Sequence, residues 1–181
     1  MLAGLCLTLC AAGWRLPEAR SAEDPELLEA QIKAAFLYKF AGYVEWPKTA
    51  FAQTETPFTI AVMGANPVAV ELVRVVTGRR INDRNVIVKR LATGDPVAGA
   101  HILFIGSDMS AQLDRLLQAT RPQPVLTVTE TEGALAQGSV INFVVSDRRI
   151  RFEISRRAAD RNQLKLSSRL LAVAQHVEES P

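Results

Sequence analysis

The hydrophobic pattern of this chain changes rhythm several times, and each change marks an element. Residues 101–106, His-Ile-Leu-Phe-Ile-Gly, form a short, almost unbroken apolar run that leads into Ser107-Asp108. A run bounded by turn residues and too short for a typical helix reads as a strand buried on both faces. Burial on both faces requires helices on either side, so the sheet is expected to be parallel at this point. Residues 57–63 and 125–129 have the same character, and 86–91 supplies a fourth strand. Helical spacing separates them. One helix is predicted over 68–76, with Asn66 as its cap, Pro67 in its first turn and Gly78 past its end. A second is predicted over 109–119, where Leu113, Leu116 and Leu117 recur on one face and Pro122 and Pro124 stop it. Such alternation predicts right-handed crossovers in a parallel core.

Both ends of the chain depart from this rhythm. Residues 26–44 carry Ile32, Phe36, Phe40, Tyr43 and Val44 at helical spacing. Asp24-Pro25 suits the start of that helix, and Pro47 disfavours the helical conformation at Trp46. Toward the other end, 139–146 and 150–155 read as strands joined by Asp147-Arg148-Arg149. In the second, Ile150, Phe152 and Ile154 alternate with Arg151, Glu153 and Ser155, so the pair is expected to be an antiparallel hairpin with one wet face at a sheet edge. Thr129-Glu130-Thr131-Glu132 resembles a capping box before a brief helix. Helical segments at 158–162 and 167–177 close the chain, the last with Leu170, Leu171, Ala174 and Val177 on one face. The pattern predicts an α/β fold: a three-layer sandwich, mostly parallel, with helices on both faces and an antiparallel edge hairpin.

The first 21 residues change the picture of where this fold works. Residues 2–14 are apolar and hold both cysteines, Cys6 and Cys10, and Ala19-Arg20-Ser21 offers a small-x-small cleavage site. Such a segment fits the apolar core of a signal peptide and is short for a membrane span. Cleavage after Ser21 would leave one domain, 22–181, without cysteine and hence without disulfide, thiol nucleophile or thiolate metal site. A chain of 181 residues is long enough to bury a core unaided. Its formal charge of +2, with arginines scattered in doublets, gives no basic stripe for nucleic acid.

Catalytic and metal-binding patterns are missing from the sequence. The two histidines, His101 and His176, lie in no ligand spacing, so neither a metal nor a cofactor is expected. His101 reads as a strand-end residue bonded to backbone. Ser107 sits in Ile-Gly-Ser-Asp without the second glycine of a nucleophile elbow, and strand geometry does not put Ser107, His101 and Asp108 in a relay. Gly64-Ala65-Asn66 is one glycine in a strand-to-helix turn, far from a dinucleotide or phosphate loop. A ligand crevice at the carboxyl ends of the strands would be lined by Asn66, Ser107, Asp108, Thr129 and Glu130.

Several segments together resemble one family. Residues 32–40, Ile-Lys-Ala-Ala-Phe-Leu-Tyr-Lys-Phe, followed by Tyr43-Val44-Glu45-Trp46-Pro47, are similar to the opening signature of the YfiR family. His101-Ile102-Leu103-Phe104-Ile105 resembles its Cys-His-Ile-Leu-Phe-Ile strand. Residues 125–128, Ile141-Asn142-Phe143, 150–154 and 164–171 follow in order and spacing. The resemblance implies a periplasmic, non-enzymatic regulator that binds the periplasmic sensor region of an inner-membrane diguanylate cyclase, or another membrane sensor, and lowers cyclic di-GMP. It also implies a homodimer and an OmpA-like outer-membrane lipoprotein that relieves repression. Ala100 stands where the family has a cysteine, so thiol redox sensing is not expected here. A regulator acting by contact needs surface, and the candidates are Glu45 and Trp46 at the turn with Arg148, Arg149, Arg151 and Glu153 on the hairpin. The alternative is a periplasmic protein that binds or senses a small molecule in the strand-end crevice.

Overall fold

The computed structural model describes residues 24–121 and 123–179. The expected signal segment, 1–21, lies outside them. An eight-stranded sheet forms the centre. Its strands are β2 (Phe58–Met63), β3 (Arg80–Ile81), β4 (Arg84–Leu91), β5 (Ile102–Ile105), β6 (Leu126–Thr129), β7 (Ile141–Ser146), β8 (Arg149–Ser155) and β10 (His176–Glu178). They lie in the order β10-β8-β7-β6-β5-β2-β4-β3. The five central strands, β7-β6-β5-β2-β4, pair in parallel. The hairpins β7–β8 and β3–β4 are antiparallel. A separate two-stranded antiparallel sheet joins β1 (Val44–Glu45) to β9 (Lys165–Leu166). This is the α/β class that the apolar runs predict.

Alternation along the buried strands sorts side chains to two faces. Phe58, Ile60 and Val62 of β2, with Ile102 and Phe104 of β5, pack under α1 (Pro25–Phe40) and α2 (Asn66–Val76). Ala61, Met63, Leu103 and Ile105 point the other way, toward α3 (Leu113–Ala119) and α4 (Ala134–Gln137). Helices therefore cover both faces. Asp24 caps α1 by accepting the Glu26 N–H at 3.1 Å, with Pro25 in the first turn.

Four local differences from the sequence expectations have physical causes. The first helix ends at Phe40, not at Val44, because the Gly42 and Tyr43 amides bond back to Lys39 and Phe40 in a tight turn. Val44 and Glu45 then extend to pair with Leu166 and Lys165. Asn66 is an exposed residue of the first turn of α2, where Ala65 stands at the cap without a side-chain bond. The helix expected over 109–119 begins with a 3₁₀ segment, Ser107–Gln112, and becomes α-helical at Leu113. The helix expected over 167–177 stops at Val173 in α6 (Ser168–Val173), and His176–Glu178 becomes a strand parallel to β8. The open edge of β8 offers unpaired backbone groups, and that tertiary partner outweighs weak local helix propensity. Only Glu153–Ser155 of β8 pair with β10, so Arg149–Arg151 remain beyond it.

Candidate functional site

The crevice forms where β2, β5 and β6 end. Gly64 and Gly106 make it: a Cβ on Gly106 would lie 2.2 Å from the Gly64 carbonyl oxygen, so the turns after β2 and β5 cross in contact that only glycine allows at 106. β7 pairs with β6 only through Ile141 and Asn142, so the rest of the β7–β8 ribbon runs past the end of β6. A cleft of about 820 Å³ opens there. Its walls include Phe143, Val144, Val145 and Ile150 of the hairpin, Leu135 of α4, Glu29 and Lys33 of α1, and Ser107 and Glu130 at the strand ends.

Lys33 is the unexpected residue of this site. It lies on the buried stripe of α1, between Ala30 and Ala34. Its ammonium group bonds the carboxylates of Glu29, one turn earlier, and Glu130, just past β6. Burial alone would pull the Lys33 pKa down, but the two carboxylate bonds and the charges behind them outweigh it and raise the pKa. The second oxygen of Glu130 accepts the Ser107 N–H at 2.8 Å. This bridge ties α1 to two strand ends. It also lines a second hollow of about 180 Å³ together with Gly64 and Asp108. Sequence periodicity holds the signal: Ala30, Lys33, Ala34 and Leu37 fall at i, i+3, i+4 and i+7, with a charge among small and apolar residues.

Other crevice candidates lie at different depths. Ser107 and Glu130 line both hollows, and Asp108 lines the smaller. Asn66 lines neither hollow. Thr129 is fully buried and donates to Asn142 Oδ1 at 2.8 Å. Asn142 Nδ2 then donates to Glu153 Oε1 at 3.0 Å, which holds Glu153 in the cleft wall. His176 and Glu178 of β10 join that wall, placed there by the strand that replaces the expected helix end. Five carboxylates, Glu29, Glu130, Glu132, Glu153 and Glu178, face one lysine and one histidine. The cleft is therefore acidic on a chain whose formal charge is +2.

The surface candidates separate into two groups. Arg148, Arg149 and Arg151 are exposed on the hairpin, with Asp147 and Arg148 at positive φ in its two-residue turn. Arg151 and Glu153 share one face of the hairpin with Val144 and Asn142 across the strand pair. Glu45 is exposed at the far side of the fold, in the small sheet. Trp46 is half-buried. Its ring stands edge-on to Phe58 at 5.0 Å, and its indole N–H donates to the His101 carbonyl at 3.2 Å.

His101 has a structural place that explains its neighbours. Its ring stacks between Phe51 and Phe58, with centroids 4.4 and 4.9 Å away. Nδ1 accepts the Thr59 N–H at 3.0 Å, which assigns the proton to Nε2, 3.1 Å from the Ala50 carbonyl. Burial pushes its pKa down, the Ala50 bond opposes this, and the Arg84 charge adds to the lowering. A His pKa lowered by folding stabilises the fold above the unfolded value of about 6.5, and that contribution is lost as pH falls through it toward the folded value. Between about pH 7.5 and pH 5 the melting temperature is expected to drop, with a shallower slope for His101→Phe. Parallel pH profiles for the two proteins, followed by circular dichroism, would contradict this role.

The fold and this cleft define an α/β domain with a charged cleft at its strand ends. The described residues include neither a cluster able to hold a metal ion nor a helix long and apolar enough to cross a membrane. The YfiR/HmsC-like family model matches residues 30–175, and the chain belongs to that family. It is a regulatory family of the periplasm. No curated protein matches the chain. Among solved structures, the fold is similar to that of a conserved domain protein from Vibrio cholerae O1 biovar eltor strain N16961, with TM-score 0.56 and 8% sequence identity. That likeness covers 82% of this chain and 60% of the Vibrio chain, so this chain spans less than two thirds of it.

Proposed function

We propose that this protein is a periplasmic regulator that binds the periplasmic sensor region of an inner-membrane diguanylate cyclase and represses it, lowering cyclic di-GMP. The observation that carries the reading is the family match, which runs from the middle of α1 to the residue before β10. The shape of the molecule supports action by contact. The arginine-bearing hairpin runs past the strand ends beside an acidic cleft, so the two signs of charge stand together on one surface that can set register with a partner. An OmpA-like outer-membrane lipoprotein would relieve repression by sequestering the protein, and the working form would be a homodimer.

Calorimetry with the purified periplasmic sensor regions of the host's membrane diguanylate cyclases tests the contact. Saturable binding to one of them is expected, weakened about tenfold or more by Arg149→Glu with Arg151→Glu. Absence of binding to all of them, or indifference to the double substitution, would contradict the reading. A second reading, small-molecule sensing in the cleft, is supported by the Lys33–Glu130 bridge, an ion pair kept at the edge of a hollow of about 820 Å³. A cationic ligand bound there would raise the melting temperature by mass action.

A further inference from the structure

We propose that Arg121 and Arg161 form a binding site for a phosphate group over Gly138, at the end of the sheet opposite the cleft, with Arg157 one helical turn before Arg161. They come from two parts of the chain. Arg121 follows α3, while Arg157 and Arg161 lie on α5 (Arg156–Arg161). Gly138 follows α4 and precedes β7, at the starting end of the parallel strands.

Two observations fix the geometry. A Cβ on Gly138 would lie 2.3 Å from Arg121 Nη2 and 3.4 Å from Arg161 Nη1, so both guanidinium groups rest over the same bare Cα. Gly138 also sits at φ +110, where a side chain would be strained. Arg121 Nη2 donates to the Gln137 carbonyl at 2.7 Å, which anchors that guanidinium and uses one of its five N–H donors.

The charges then lack a counterpart. Among the described residues, none of the three arginines makes an ion pair. Arg157 and Arg161 are four residues apart on α5, a like-charge spacing that destabilises a helix. Burial, and after it the charges of Arg121 and Arg157, pull the Arg161 pKa below its usual range. Repulsion of this kind is relieved by an anion that meets several guanidinium groups at once. Phosphate suits them because its oxygens match the planar fork of arginine in paired hydrogen bonds. The phosphate can belong to a soluble ion or ester or to an anionic lipid headgroup. The proposal stands on this geometry and does not depend on the cyclase reading.

The test uses the whole exported chain in sodium phosphate and in sodium chloride of equal ionic strength. Phosphate is expected to raise the melting temperature by roughly 3 °C and to shift the Gln137 and Gly138 amide resonances first. Arg121→Gln and Arg161→Gln should abolish both effects, Arg161→Lys should weaken them, and Arg90→Gln, on β4, should leave them unchanged. Sedimentation with phosphatidylcholine vesicles, with and without phosphatidylglycerol, separates the two sources of phosphate. Binding in either arm that depends on Arg121 and Arg161 supports the site. The proposal is overturned if the Gly138 amide does not respond to phosphate and the wild type and Arg161→Gln sediment equally. A response spread evenly over all basic surfaces would overturn it too.

Discussion

Lys33→Ala is expected to cost about 3–5 kcal/mol of stability, because it leaves the Glu130 carboxylate partly buried without its counter-charge. The side chains of Lys33 and Glu130 are 9% and 12% exposed, so water compensates little. Glu29, at 46%, is the weaker partner and its loss should cost well under about 1 kcal/mol. The distinction matters for how the bridge is read. A double variant, Lys33→Met with Glu130→Leu, removes both charges and is expected to recover most of the loss, since an apolar pair of similar volume is often neutral against a buried ion pair. Urea unfolding of the wild type, Lys33→Met, Glu130→Leu and the double variant measures the coupling. A loss below about 1 kcal/mol for Lys33→Ala would mean that Glu130 finds solvent, and that the bridge does not tie α1 to the strand ends. The sign with pH follows from the raised Lys33 pKa. The contribution is complete below the unfolded value of 10.5 and is lost as pH rises through the folded value, so neutral and mildly acidic conditions leave it intact.

Phe40→Ala is the second large effect, again about 3–5 kcal/mol. Phe40 is 1% exposed and its ring meets Phe36 at 5.8 Å, Phe143 at 5.9 Å and Phe152 at 5.0 Å. Those contacts join the end of α1 to both strands of the hairpin. Truncation removes apolar area and leaves a cavity that rigid neighbours on a sheet cannot fill by collapse. The hairpin amides should therefore lose hydrogen-exchange protection beyond the global change. Val145→Ala, on the same hairpin at 68% exposure, is the control and should stay within about 0.5 kcal/mol. Equal protection of the hairpin in Phe40→Ala and a surface control would show that the ribbon is held by its own strand pairing instead.

The elements legible in the sequence are those whose own pattern decides them. β5 is a continuous apolar run, β2 is nearly one, β6 is a fully buried, mostly β-branched stretch, and β8 alternates with period two, so each announces its environment. The short strands are different. Val44–Glu45, Lys165–Leu166 and His176–Glu178 exist because a partner strand is in reach, and two or three residues carry no period of their own. Asn82 and Asp83, both at positive φ, close the β3–β4 hairpin without the glycine that would have marked the turn.

The candidate cleft follows the same division. Ser107 and Glu130 follow from the rule that crevices open at strand ends, and they line the hollows. Lys33 was hidden because a lone lysine in a helix is usually solvated, and its partner Glu130 is 97 residues away in sequence. His176 lies inside the expected helix over 167–177 and Glu178 just past it, and neither carries a strand period of its own. Thr129, expected at the mouth by the same rule, faces inward, because its hydroxyl serves the bond to Asn142 that orients Glu153.

Repression of a cyclase from the periplasm is tested most directly by cyclic di-GMP in the native host. The gene is deleted, then restored with and without residues 1–21. Cyclic di-GMP is expected to rise on deletion, a rise that only the exported form reverses. An unchanged level across several growth conditions, or reversal by the form lacking residues 1–21, would contradict it.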